Sequence, residues 1–86
     1  MAKVTYYIVP AWSDQAGQCR IYRLLEPVPR DAGEHYRKFP GLWKSAGIMN
    51  SRGELVCFGG PKEHAAELRD CTLHGGFQIT LEEPNV

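Results

Sequence analysis

Cysteine and histidine side chains cluster in the second half of the chain, where they would be candidate metal ligands. The four residues are Cys57, His64, Cys71 and His74. Zinc sites are usually built from closely spaced ligand pairs such as Cys-x-x-Cys, and this chain has no such pair. On one helix, His64 and Cys71 would lie ~10 Å apart along the axis, too far to share an ion held at ~2.0–2.3 Å. We therefore predict neither a bound metal nor a cofactor.

Cysteine-based catalysis is the second chemistry that this region invites. Cys57 precedes two glycines and the start of a predicted helix, a location that can stabilise a thiolate. A nucleophile also needs a base within hydrogen-bond reach, whereas a free cysteine is more often simply buried. Residues 59–62, GGPK, lack both the GxxxxGK[ST] and the GxGxxG phosphate-binding patterns. We predict no catalytic residues, with a small enzyme or metal protein that uses Cys57 or the pair Cys71 and His74 as an alternative.

Residues 35–43, HYRKFPGLW, concentrate aromatic and basic side chains outside any confidently predicted element. Aromatic rings and arginine are enriched in binding hot spots, and the same mixture suits single-stranded nucleic acid. The alternative is that these rings fold back over one face of a small sheet, because a small domain needs large residues in its core. A loop tryptophan near the first predicted turn is a further contact candidate. The candidate binding residues are Trp12, Tyr36, Arg37, Phe39 and Trp43.

Composition indicates one globular domain over residues 1–86. The chain is 43% hydrophobic and 23% charged, and its ten basic and ten acidic residues cancel, which disfavours binding duplex nucleic acid through phosphates. No apolar run approaches the roughly 18 residues of a membrane span, and the N-terminus lacks the pattern of a signal peptide. With three cysteines and no secretory signal, we expect reduced thiols and a cytoplasmic protein.

Alternation and turn residues predict two antiparallel hairpins. Residues 3–9 are rich in β-branched and aromatic side chains, end at Pro10, and are followed by turn chemistry and an alternating run at residues 18–24. The second hairpin joins residues 44–50 to residues 54–58, with Gly53 suited to positive φ in the turn.

The remaining elements are one clear helix, one clear strand and an ambiguous segment. Residues 61–73 predict a helix with an apolar stripe through Leu68, and Phe77, Ile79 and Leu81 predict a half-buried strand facing it. Residues 30–38 fit a short helix or an irregular loop. The fold class is therefore α+β: a small single-layer antiparallel sheet of about 4–5 strands with one main helix packed on it, in the order ββ(α)ββαβ.

A chain of this size, which we expect to be complete, more often works by binding than by catalysis when no site is assembled. We expect a small non-enzymatic protein-binding protein, an inhibitor that occupies a surface of a larger protein or complex. Phage and plasmid host-defence inhibitors such as anti-CRISPR proteins are the analogy, which rests on size and the absence of motifs. The alternative is a nucleic-acid-binding accessory protein that uses Arg20, Arg37, Lys38 and Lys44. No membrane partner is expected, and an unpaired sheet edge allows either a monomer or a homodimer.

Overall fold

A five-stranded antiparallel sheet with a helix on each face forms the fold. The computed structural model describes residues 3–10, 18–25 and 30–83. The elements in chain order are β1 (Lys3–Pro10), β2 (Cys19–Leu24), α1 (Ala32–Lys38), a 3₁₀ turn (Pro40–Leu42), β3 (Lys44–Met49), β4 (Leu55–Phe58), α2 (Lys62–Leu73) and β5 (Gln78–Glu82). This order confirms the predicted α+β class and the predicted ββ(α)ββαβ sequence of elements.

The strands lie in the order β4-β3-β2-β1-β5. Strands β1 to β4 form a meander in which each strand pairs with the next along the chain. After α2 the chain returns to the other side of β1, where β5 pairs antiparallel with Thr5 opposite Thr80. Strands β4 and β5 are consequently the two edges of the sheet, and β1 lies in its interior.

The main core lies between the sheet and α2. Its members are at most 1% exposed and comprise Val4, Tyr6, Ile8, Ile21, Met49 and Leu68. Ile79 and Leu81 of β5 pack against this cluster, as predicted. Phe77 does not, because β5 begins one residue later and the Phe77 side chain is 52% exposed. The prediction that Phe77 faces the core is therefore wrong.

A second, smaller cluster covers the opposite face of the sheet. Leu24, Ala32 and Trp43 are its buried members, and three half-buried tyrosines pack against it: Tyr7, Tyr22 and Tyr36. Residues 30–38, whose sequence fits either a short helix or an irregular loop, contain the helix α1. Its N-cap residue Asp31 accepts a hydrogen bond of 3.0 Å from the Glu34 backbone N–H. The sheet thus has a helix on both faces rather than only one.

The turn between β3 and β4 follows its predicted chemistry. The Asn50 side-chain oxygen accepts hydrogen bonds from the backbone N–H groups of Arg52 and Glu54, at 2.9 and 3.0 Å. Gly53 has φ of 80°, a conformation that costs glycine little because it has no Cβ. Neither helix within the described ranges is long and apolar enough to cross a membrane.

Leu68 is the only fully apolar side chain that α2 buries completely among its described residues. Leu68→Ala should lower the free energy of unfolding by about 2–5 kcal/mol, because the deletion leaves a cavity against the sheet. Urea denaturation followed by circular dichroism measures the loss. Leu73→Ala is the matched control, since Leu73 ends the same helix but is 70% exposed, and it should cost about 1 kcal/mol or less. Equal losses for the two variants would show that α2 packs through a different face.

Candidate functional site

A buried hydrogen bond joins Tyr6 of β1 to His64 of α2. The Tyr6 hydroxyl lies 2.8 Å from His64 Nδ1, and His64 Nε2 lies 3.0 Å from the Glu82 backbone oxygen. A carbonyl oxygen only accepts, so Nε2–H donates to Glu82, and in the tautomer with its one proton on Nε2 the Nδ1 atom accepts from the Tyr6 hydroxyl. His64 is 3% exposed and has both nitrogens engaged, so it has no nitrogen left for a metal or a substrate. The pair is a structural contact between the helix and two strands.

The surroundings of Tyr6 keep its hydroxyl protonated. Burial raises the pKa of Tyr6 above its usual value, while the charges of Arg23 and Glu83 act in opposite directions. Those two residues form an ion pair of 2.8 Å between Arg23 Nη2 and Glu83 Oε1. Gly60 lets the chain pass close to the two rings, because a Cβ at that position would overlap the Phe58 ring and lie 3.0 Å from the Tyr6 hydroxyl. A side chain at Gly60 would therefore displace both rings.

The cysteines and His74 are not arranged around a common centre. Cys71 Sγ lies 3.7 Å from the Gln78 backbone oxygen, and burial, followed by the negative charge of Asp70, raises the pKa of the Cys71 thiol. A raised pKa disfavours the thiolate that nucleophilic chemistry needs. His74 pairs with Asp70 at 3.4 Å. Across residues 3–10, 18–25 and 30–83, no three His, Cys, Asp or Glu side chains are grouped closely enough to hold a metal ion.

Two of the three rings in residues 36–43 pack onto the sheet. Trp43 is 4% exposed, and Tyr36 lies between Tyr7 and Tyr22, with ring centroids 5.4 and 4.9 Å away. Burial, followed by the neighbouring hydroxyl of Tyr22, raises the pKa of Tyr36 to about 12. These two candidates thus follow the alternative in which the rings cover the sheet, and Trp43 presents no free contact surface.

Phe39 and Arg37 point into solvent instead. Phe39 is 51% exposed, and its ring rests on His35 with centroids 5.1 Å apart. His35 is itself fixed, because its Nδ1 accepts a hydrogen bond of 3.1 Å from Trp43 Nε1. The buried Trp43 therefore holds the exposed Phe39 in place through His35. Arg37 is also exposed. The fifth candidate, Trp12, lies outside the described residues.

Two leucines near Phe39 in the fold or in the chain are also exposed. Leu42 is 53% exposed and Leu25 is 48% exposed, and both line one cleft together with Lys44. Leu42 is joined to Phe39 through a 3.1 Å hydrogen bond from its backbone N–H to the Phe39 carbonyl. We call the side chains of Leu25, Phe39 and Leu42 the Phe39 surface. It is the strongest candidate for a functional site in the described part of the chain.

Leu25 and Leu42 are not among the binding residues predicted from the sequence, and His64 is considered there only as a metal ligand. The exposure of Leu25 could be predicted from the sequence, because Leu25 follows Leu24 at the end of an alternating strand. Only one of two adjacent side chains on a strand faces a given side of the sheet. The burial of His64 could be predicted as well, because His64 precedes Leu68 by about one helical turn and so lies on the same face of the helix. Nothing comparable marks Leu42, whose exposure depends on the 3₁₀ turn (Pro40–Leu42).

Comparison with known proteins yields no relative. No protein-family model matches the chain, and no match of significance appears among curated proteins or among solved structures.

Tyr6→Phe removes the donor to His64 Nδ1 and leaves a buried acceptor without a partner. The free energy of unfolding should fall by about 1–3 kcal/mol, the cost of an unsatisfied buried polar group. Chemical denaturation monitored by tryptophan fluorescence measures it. Tyr7→Phe is the control, because Tyr7 is a half-buried ring on the opposite face of the sheet. A loss no larger than that of the control would show that the Tyr6–His64 hydrogen bond contributes nothing to stability.

Trp43→Ala and Phe39→Ala should separate core from contact surface. Removing the buried Trp43 ring should cost about 3–5 kcal/mol. Removing the half-exposed Phe39 ring should cost about 1 kcal/mol or less. Thermal melts of both variants measure the difference, and similar melting temperatures for the two would contradict the described burial.

Proposed function

We propose that the chain is a small non-enzymatic protein-binding protein that contacts a larger protein partner through the Phe39 surface. The observation that carries the proposal is the exposure of three large apolar side chains, at 48–53%: Leu25 and Leu42 line one cleft with the cationic Lys44, and Phe39 lies three residues before Leu42 at the start of the same 3₁₀ turn. Contiguous exposed apolar area on a small domain is a typical feature of a protein contact site. The Leu25, Phe39 and Leu42 side chains would be removed from water by the partner.

The Phe39 surface is held in shape before any partner binds. The Phe39 ring rests on His35, and the Trp43 backbone N–H donates to the Pro40 carbonyl at 3.1 Å. A contact side chain that is already ordered loses less conformational entropy on binding. This rigidity favours a contact surface over an aromatic residue that is exposed merely because it lies in a loop.

Charged residues near the Phe39 surface favour a partner with acidic groups. Lys44 forms no ion pair with a described residue, and Arg37 is likewise exposed without one. Arginine combines charge with planar hydrogen bonding and stacking, which suits it to a protein contact. The basic charge is too limited for a phosphate-driven interface. Lys38 is paired with Glu34 at 3.1 Å, and Arg20 lines a separate cleft beside Ile48.

In this proposal the chain acts by occlusion, covering a surface that the partner needs for its own work. Small inhibitor proteins that phages and plasmids encode, anti-CRISPR proteins among them, act through binding of this kind. This chain resembles them in its small size and its lack of catalytic motifs. The buried, fully hydrogen-bonded His64 and the protonated Cys71 thiol support binding over catalysis.

Affinity capture with matched variants tests the proposal. Wild-type protein, Phe39→Ala and Leu42→Ala are immobilised, incubated with lysate of the source cell, and compared by quantitative mass spectrometry. A protein partner should be retained by wild type and lost with both variants. With that partner purified, Phe39→Ala should weaken binding by on the order of 2 kcal/mol or more while the melting temperature stays close to that of wild type.

Val56→Ala is the control, because Val56 is a 56% exposed apolar side chain on the edge strand β4. It should retain the partner. Capture that is the same for all four proteins would reject the Phe39 surface as the contact. Capture abolished by nuclease treatment would point instead to the nucleic-acid alternative.

A further inference from the structure

A second feature lies beside the Phe39 surface: a cleft of about 320 Å³ between β2, β3 and the residues that precede α2. Its lining residues are Arg23, Leu25, Lys44, Ser45, Ala46, Gly59 and Gly60. This volume is at the low end for ligand pockets, so it has room for one or two side chains rather than for a large cofactor. We call it the Lys44 cleft.

The charge of the Lys44 cleft is positive. Lys44 and Arg23 both line it, and no described Asp or Glu does. Glu83 neutralises Arg23 through the 2.8 Å ion pair, so Lys44 supplies the net charge. An exposed lysine that pairs with no carboxylate of the described residues favours an anionic ligand.

Arg23 also keeps unused hydrogen-bonding capacity. Its Nε is buried and has no hydrogen-bond partner among residues 3–10, 18–25 and 30–83, although its Nη2 is paired with Glu83. Buried donors in folded proteins are nearly always paired, so an unpaired one next to a cleft is unusual. The guanidinium group is thus only partly satisfied by the protein itself. The hydroxyl of Ser45 adds a further polar group to the lining.

The Lys44 cleft continues into the Phe39 surface. Arg23, Leu25 and Lys44 also line the neighbouring cleft of about 110 Å³ that Leu42 borders. The two recesses therefore lie side by side and share Arg23, Leu25 and Lys44, and the smaller one is bordered in addition by the apolar Leu24 and Leu42. A segment that enters both would carry an anionic group next to an apolar side chain.

We infer that the Lys44 cleft binds a carboxylate of an acidic residue in the protein partner, while a neighbouring apolar side chain of that partner enters the recess at Leu42. The inference rests on the proposed function for the identification of the ligand as part of a protein. It adds the chemistry of recognition, which is a Glu or Asp side chain adjacent to an apolar one. In the complex, the carboxylate accepts from Lys44 and competes with Glu83 for Arg23.

Nuclear magnetic resonance titration tests the carboxylate site without the partner. The ¹⁵N-labelled protein is titrated with acetyl-glutamate amide, with acetyl-glutamine amide, with the peptide acetyl-Leu-Glu-Leu-amide and with inorganic phosphate. The glutamate probe should give saturating shifts at the amides of Ser45, Gly59 and Gly60, and the glutamine probe should not. The leucine-containing peptide should bind more tightly than acetyl-glutamate amide, and Leu42→Ala should remove that difference.

Three variants make the test specific. Lys44→Ala should weaken binding of the glutamate probe by about three- to five-fold, the range expected for one partly exposed ion pair. Glu83→Gln should strengthen it by about two-fold or more, because Arg23 Nη2 is released from its own ion pair. Lys38→Ala, which removes a lysine already paired with Glu34, should leave it unchanged.

Equal shifts with the glutamate and glutamine probes, or undiminished binding by Lys44→Ala, would overturn the inference. Tighter binding of phosphate than of the glutamate probe would overturn the assignment to a carboxylate. Either result would leave the contact through Phe39 in place, because affinity capture tests that contact separately with variants outside the Lys44 cleft.

Discussion

The hydrogen bond between Tyr6 and His64 is the contact on which the arrangement of the fold depends. It connects an interior strand to α2, and the other nitrogen of the His64 ring connects the same helix to the edge strand β5. The chain next to this hydrogen bond accommodates it, because the lack of a side chain at Gly60 leaves space for the Tyr6 hydroxyl and the Phe58 ring. A largely polar helix that buries few apolar side chains gains from such a directional contact, because a buried polar group is costly unless it is paired. The position of α2 in turn sets the Gly59–Gly60 wall of the Lys44 cleft.

Most of the sheet could be predicted from local sequence. Alternation in β1, β2 and β5 reports which side chains share a face, and the Asn50 and Gly53 turn closes by its own side-chain and backbone preferences. The helix α1, on the opposite face of the sheet from α2, is harder to predict from local sequence. α1 is only seven residues long and contains Gly33, so its stability comes from packing on the sheet, which local propensity does not describe.

The candidate site could be predicted only in part, because burial within residues 36–43 is decided by tertiary contacts. Trp43 and Phe39 are both large aromatic residues of one short segment. Trp43 directly precedes β3 and therefore faces the sheet, whereas Phe39 follows the end of α1 and rests on His35 from outside. Composition identified the segment, but only the course of the backbone distinguishes its core rings from its exposed ring. That Lys44 forms no ion pair with a described carboxylate depends on the three-dimensional positions of Asp and Glu side chains, which local sequence does not give.

The return of the chain from α2 to β1 has a consequence for biosynthesis. Translation proceeds from the N-terminus, so β1 to β4 leave the ribosome before β5 and can pair only with one another. During that interval the backbone groups on the outer side of β1 have no strand partner. The Tyr6 hydroxyl has no partner either until His64, 58 positions later in the chain, has been synthesised. Pairing at such sequence separation slows folding and leaves an unpaired strand exposed to other chains. Pairing of β5 (Gln78–Glu82) with β1 removes this exposed strand edge, so we expect nascent chains stalled before β5 to aggregate more readily than the finished chain.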